Sequence, residues 1–311
     1  MPLPRAIPRT GDDRPAASLW GYVRRMTGWH QAAIGLLALA VAALGFAPVE
    51  LQRRIIDDAI AEGDAELLLW LGAAYAGLLL AAQGAKAALM LYQGWLAESA
   101  ARYTRRHLIG LHCAGLGKPR GNGEAVSIIG PEVDKLAGFA GEGPSNAVQH
   151  SALLVIGVGY MLTVDAAVAA VGLLLLVPQA LLTPLMQRRL NRLMRARVQA
   201  MRALGNRVAG QSLCPQATGG TVLGRIYTNR MAIHAWKALT KGVLNLVNGL
   251  APLSVLLVGG WLAIEGETTV GVIVAFVSGF QRLADPLRAL IKFYRTCAQT
   301  EVQHRMIARW M

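Results

Sequence analysis

Gln281, Asp285, Arg288 and Lys292 recur at intervals of four, three and four residues, with Arg282 beside them. On a helix this spacing places an amide, a carboxylate and two cations along one face. They lie in or next to a stretch apolar enough to enter a bilayer. Lys86 is embedded in another such stretch. Ionisable side chains are costly in hydrocarbon, so they face a cavity, an aqueous route or a partner. Lys86, Gln281, Arg282, Asp285 and Arg288 are therefore candidates for lining a route taken by a polar or charged ligand. The chemistry they offer is reversible binding rather than bond breaking. The alternative is structural: Arg288 and Lys292 snorkel to the interface while Asp285 pairs with Arg282 or Arg288. Asn245 and Asn248 are explained well enough by hydrogen bonding between helices.

Other chemistries find less support. The nearest match to a phosphate-binding loop is 219–224, with glycine at each end, but Arg225 and Ile226 follow where Lys and then Ser or Thr are needed. The chain is thus expected to carry no cofactor and to catalyse nothing by itself. His107 and His112 are five apart and share no helical face, so no metal site is expected. Cys113, Cys214 and Cys297 are odd in number and lack metal-ligand spacing.

The elements that must position these residues are read from composition and charge. Of 311 residues 54% are hydrophobic and only 16% charged, well under the quarter usual in soluble domains. Residues 1–28 hold five arginines and no apolar core, which argues against a cleavable signal peptide. Six stretches reach the roughly 20 apolar residues that a spanning helix needs: about 29–51, 67–90, 146–164, 166–186, 243–264 and 270–293. Two long polar excursions, about 91–145 and 187–242, separate the second span from the third and the fourth from the fifth. They hold six and eleven Lys and Arg, and the leader holds five; the connections near Asp165 and at 265–269 hold none. The net charge of +13 thus follows loops rather than a nucleic-acid surface. The positive-inside rule places both termini and both long loops in the cytoplasm.

The long loops read as helical. Trp95 to Arg102 continues the second span, and Val126, Ile129, Val133 and Leu136 mark a helical return. Leu190, Met194, Val198 and Met201 continue the fourth span at helical spacing. Residues 19–26, with Trp20, Tyr22, Arg24 and Arg25, read as a short interfacial helix, its aromatics at headgroup level. The expected division is a leader, 1–28, and a six-helix membrane domain, 29–311.

Several local patterns resemble the transmembrane domain of ATP-binding-cassette exporters. They are Pro48 followed by Ile55-Ile56-Asp57-Asp58-Ala59-Ile60, then Gly123 to Ile129 with Glu132 to Leu136 and Phe139, then Gly266 to Phe276, and Asp285-Pro286-Leu287. The second polar excursion is shorter than is usual in that family. The resemblance implies an all-α fold of six spans with long cytoplasmic helical extensions, in a bacterial inner membrane. It implies a permease working as a dimer, with a second copy or a similar half. A separate nucleotide-binding subunit would carry ATP and Mg. Gly123, Glu124, Ser127, Ile128, Ile129 and Glu132 are the positions that would meet that motor. Two other readings stay open: a regulatory or scaffold subunit without a motor, and an ion-coupled carrier suggested by Lys86 and the charges of the sixth span. The substrate is not legible, since one fold serves many.

Overall fold

The computed structural model describes residues 18–113, 128–209 and 219–310, and every element among them is a helix. Helix α1 is Leu19–Thr27, and α2 is His30–Arg54, running on through a widened i→i+5 turn at Ile55–Ile60. α3 is Ala65–Cys113. A second widened turn, Ile128–Glu132, leads into α4, Val133–Val164. α5 is Ala166–Ala209, α6 is Gly219–Ile264 and α7 is Val270–Trp310.

Helix length carries the architecture. The 49 residues of α3 extend about 74 Å, against about 30 Å of hydrocarbon. α5, α6 and α7 have 44, 46 and 41 residues, so each also reaches roughly 30 Å or more beyond what a bilayer needs. The polar excursions are thus largely helix. Among the described residues, five helices are long and apolar enough to cross a membrane, within His30–Ile60, Ala65–Gly110, Ile128–Val164, Leu223–Ile264 and Val270–Ala308. This is an integral membrane protein. The expected fourth span, 166–186, lies in the first half of α5; several of its side chains fall outside the described set. The first helix outlasts its expected end near residue 51 by about ten residues, because the turn at Ile55–Ile60 keeps hydrogen bonding.

The helix ends are fixed by short polar groups. Ser18 Oγ accepts from the Gly21 N–H at 3.1 Å to start α1. Asp64 Oδ1 accepts from the Leu67 N–H at 2.9 Å to start α3, just after Gly63 turns the chain at φ 73°. A side chain at that φ would be strained.

The chain divides into two compact units. The first, Met1–Val164 with Thr269–Met311, contains α1–α4 and α7. Its core is built where helices approach closely. A Cβ on Gly141 of α4 would meet the Gln93 carbonyl and the Ala97 N–H nitrogen of α3 at 2.7 Å. A Cβ on Gly157 would meet Leu283 of α7 at 2.6 Å and Phe46 of α2 at 2.9 Å. Glycine at these points lets backbones come near, the usual device of helices packed in membranes. At one end Leu19 and Val23 of α1 pack with Leu108, Leu136 and Ile307. Tyr22 belongs to that cluster, 5% exposed, with its hydroxyl 2.8 Å from Thr104 Oγ1. Tyr22, one of the aromatics of the expected interfacial helix, is thus covered by protein. It faces inward because α1 lies across α3 and α7, while Trp20 stays 52% exposed.

The second unit, Asp165–Thr268, is the antiparallel pair α5 and α6. Asp165 is the sole residue between α4 and α5, and its Oδ1 caps α5 by accepting from the Ala167 and Val168 N–H groups at 3.0 and 3.1 Å. Trp236 Nε1 donates to the Met186 carbonyl at 2.9 Å, and Asn229 Nδ2 to that of Leu193 at 3.3 Å. Both bonds obey one antiparallel register.

Candidate functional site

The charged residues of α7 divide between two directions. Gln281, Asp285 and Lys292 are exposed, and Arg288 is half-buried on the same side. Arg288 donates to Asp285 Oδ1 at 2.9 Å. Arg282 points elsewhere: its guanidinium donates to the Gly45 carbonyl of α2 at 2.6 Å. Of the two structural pairings open from sequence, the one with Arg288 is formed.

Packing of the first unit sets Lys86 of α3 at the same level as this group, with α4 packed against both α3 and α7. Gln93 Nε2 of α3 donates to Ser145 Oγ of α4 at 2.8 Å and to Asn146 Oδ1 at 3.0 Å. That bond sets an antiparallel register, which puts Lys86 level with residue 152 of α4. The close approach of Gly157 to Leu283 likewise puts Arg288 level with residue 152, and Asp285 with residue 155. This level lies about 18 Å from the Val164 end of α4, inside the membrane-length stretch Ile128–Val164. Lys86 is exposed there and makes no hydrogen bond or ion pair among the described residues. His150, which the spacing of histidines did not single out, joins them. Its imidazole feels the charges of both Asp285 and Lys86, and its Nδ1 is buried without a hydrogen-bond partner. The signal available in sequence was that His150 is an isolated imidazole within an apolar stretch.

The expected motor-contact positions are only partly placed. Gly123, Glu124 and Ser127 lie outside the described residues. Ile128 is 5% exposed within the cluster around Leu108 and Val133, and Ile129 packs against it. Arg105 of α3 donates to the Ile129 carbonyl at 3.2 Å and pairs with Asp134. Glu132, half-buried, ends the widened turn before α4. In this arrangement Ile128 holds helices together and is not a free apolar anchor.

At the opposite end, the segment of the Ile55-Ile56-Asp57-Asp58 pattern performs a capping task. Asp57 accepts from the Thr269 hydroxyl at 2.7 Å and the Gly271 N–H at 2.8 Å, at the start of α7. A carboxylate at a helix N-terminus satisfies free N–H groups and meets the positive end of the helix dipole. A Cβ on Gly271 would collide with that carboxylate. Beside it, Glu50 takes a two-pronged contact from Arg53 at 2.8 and 3.0 Å, and further bonds from Arg54 and from Tyr160 of α4, each at 2.7 Å. This network ties α2, α4 and α7 at one end.

Residues 219–224 are helical, the opening turn of α6.

No protein-family model matches the chain. It is similar to the "Putative multidrug export ATP-binding/permease protein YgaD" of Bacillus subtilis (strain 168), 28% identical over 190 residues. The match covers 57% of this chain and 33% of that protein. The chain thus spans about a third of the length of the curated relative it matches.

Proposed function

We propose that this chain is the permease part of an ATP-driven exporter, with six spans, both termini and the long helical extensions on the cytoplasmic side. Residues 166–186 carry no charge and continue as one helix to Ala209, which supports them as the fourth span. The observation that carries the reading is the excess length of α3, α5, α6 and α7, whose protruding halves carry most of the basic residues. Such levers let a nucleotide-binding unit outside these 311 residues act on a site in the bilayer. ATP binding need only favour one of two conformations by a few kcal/mol. The exposed level of Lys86, Asp285 and Arg288 needs cover in hydrocarbon, which supports a dimer of this chain or a pair with a similar one. The similarity to an export ATP-binding/permease protein points the same way.

The test is purification from the native membrane with its bound proteins, followed by reconstitution. Substrate movement that needs an ATPase-bearing partner and ATP, and survives a protonophore, supports the exporter. The cluster of Lys86, His150 and Asp285 favours one second reading, an ion-coupled carrier. Movement abolished by the protonophore and indifferent to ATP selects it.

A further inference from the structure

We infer that the level of Lys86 and Arg288 binds the head of an anionic amphiphile. This rests on the exporter reading for its biological meaning but not for its test.

The argument is one of charge balance at a fixed depth. Lys86 and Arg288 share one level and Arg282 lies about 9 Å outward of it, against one carboxylate at that depth, Asp285. Asp285 is already bonded to Arg288 at 2.9 Å. Arg282 has a carbonyl partner, which satisfies a donor without cancelling a charge. Lys86 has neither. Uncompensated charge in hydrocarbon is costly, so a counter-charge must come from somewhere.

Among the described residues of the first unit no other carboxylate supplies it. Glu142 lies about 15 Å inward of residue 152 along α4, and Glu98 about 18 Å inward of Lys86 along α3. Glu50 lies outward and is held by Arg53, Arg54 and Tyr160. In the second unit the acidic residues are Asp165, Glu265 and Glu267, all at helix ends. A second copy would therefore repeat the deficit. The missing anion is a ligand. Leu79 and Met90, on the same face of α3 as Lys86, are 37% and 62% exposed. They give an apolar wall beside the cation, which suits an acyl or aryl tail with a carboxylate, sulfate or phosphate head.

The experiment uses the whole protein in phosphatidylcholine nanodiscs without nucleotide. Two probes of equal chain length are titrated, dansylaminoundecanoate and its trimethylammonium counterpart, with energy transfer from the protein's tryptophans as readout and empty nanodiscs as the partition blank. The carboxylate is expected to bind saturably and more tightly than the ammonium. Lys86→Gln should weaken it about tenfold, the scale of one charge-assisted hydrogen bond, while Lys86→Arg keeps it. Asp285→Asn should tighten it, a gain that a misfolded variant cannot imitate. Equal or tighter binding of the ammonium by the unaltered protein would overturn the inference. So would carbodiimide cross-linking of Lys86 to a carboxylate of another chain. Dilution of phosphatidylglycerol into the disc separates two sources of the head. Displacement of the probe by that lipid, and not by free dodecanoate, assigns the site to a lipid headgroup; the reverse assigns it to a soluble amphiphile. Loss of ATP-driven export with anion binding intact rejects the exporter reading alone, and export without anion selectivity rejects this inference alone.

Discussion

Gly141→Ala adds one methyl group at the tightest backbone approach between α3 and α4. The new Cβ would stand 2.7 Å from both the Gln93 carbonyl oxygen and the Ala97 nitrogen. Both are backbone atoms inside a helix, so no side chain can rotate away. Restoring contact distances of about 3.4 Å or more requires the helices to part by roughly 0.7 Å. The Gln93–Ser145 hydrogen bond, 2.8 Å long and one turn away, would stretch to about 3.5 Å, beyond useful geometry. Overpacking costs about 1–3 kcal/mol, and the lost buried bond about 1 kcal/mol more. The better helix propensity of Ala returns about 0.5–1 kcal/mol. A net loss of about 1–3 kcal/mol is expected, a fall of several degrees in melting temperature. Gly138→Ala is the control. It lies on the same helix, where a Cβ meets nothing within 4 Å, and should be neutral or slightly stabilising. Thermal unfolding of the purified protein in mild detergent, followed by tryptophan fluorescence, compares the two. If Gly141→Ala melts at or above the unaltered protein, the close approach of α3 and α4 is refuted.

Asp57→Ala removes the cap on α7 and should cost about 0.5–2 kcal/mol; Asp58→Ala, at an exposed neighbour, should cost under about 0.5 kcal/mol, and equal losses in melting experiments would contradict the assignment. Burial pushes the Tyr22 hydroxyl up to about 12, only partly opposed by its bond to Thr104. The folded state thus holds that proton more tightly than the unfolded chain, so stability from Tyr22 is complete below pH ~10 and declines between pH ~10 and ~12. Tyr22→Phe should flatten that decline in alkaline unfolding curves. In a background lacking native cysteines, an impermeant thiol reagent applied to intact cells should label a cysteine at position 268 and spare one at 127. Labelling at 127 would reverse the proposed topology.

Periodicity and composition alone determine much of the fold. Apolar stretches of bilayer length made the chain a membrane protein, because hydrocarbon leaves the backbone few options besides helix. Helical spacing through Leu190, Met194 and Met201, and through Trp95 to Arg102, foretold that the polar excursions continue the spans. Local hydrogen bonding is enough to propagate such helices, so near neighbours in sequence reveal them. The face shared by Gln281, Asp285 and Arg288 was legible for the same reason. What needed tertiary structure was every relation between helices. The levels of Lys86 and Arg288 coincide only through Gln93 on Ser145 and Gly157 against Leu283. Arg282 turned to Gly45, and Asp57 to the start of α7, across more than 200 residues of chain. Tyr22 faced inward, since the position of α1 depends on α3 and α7. Ile128 looked available as an anchor until Leu108 and Val133 closed around it. Periodicity reports which side of a helix is apolar. Which partner covers that side, and at what height, is decided by shape complementarity between segments far apart in the chain.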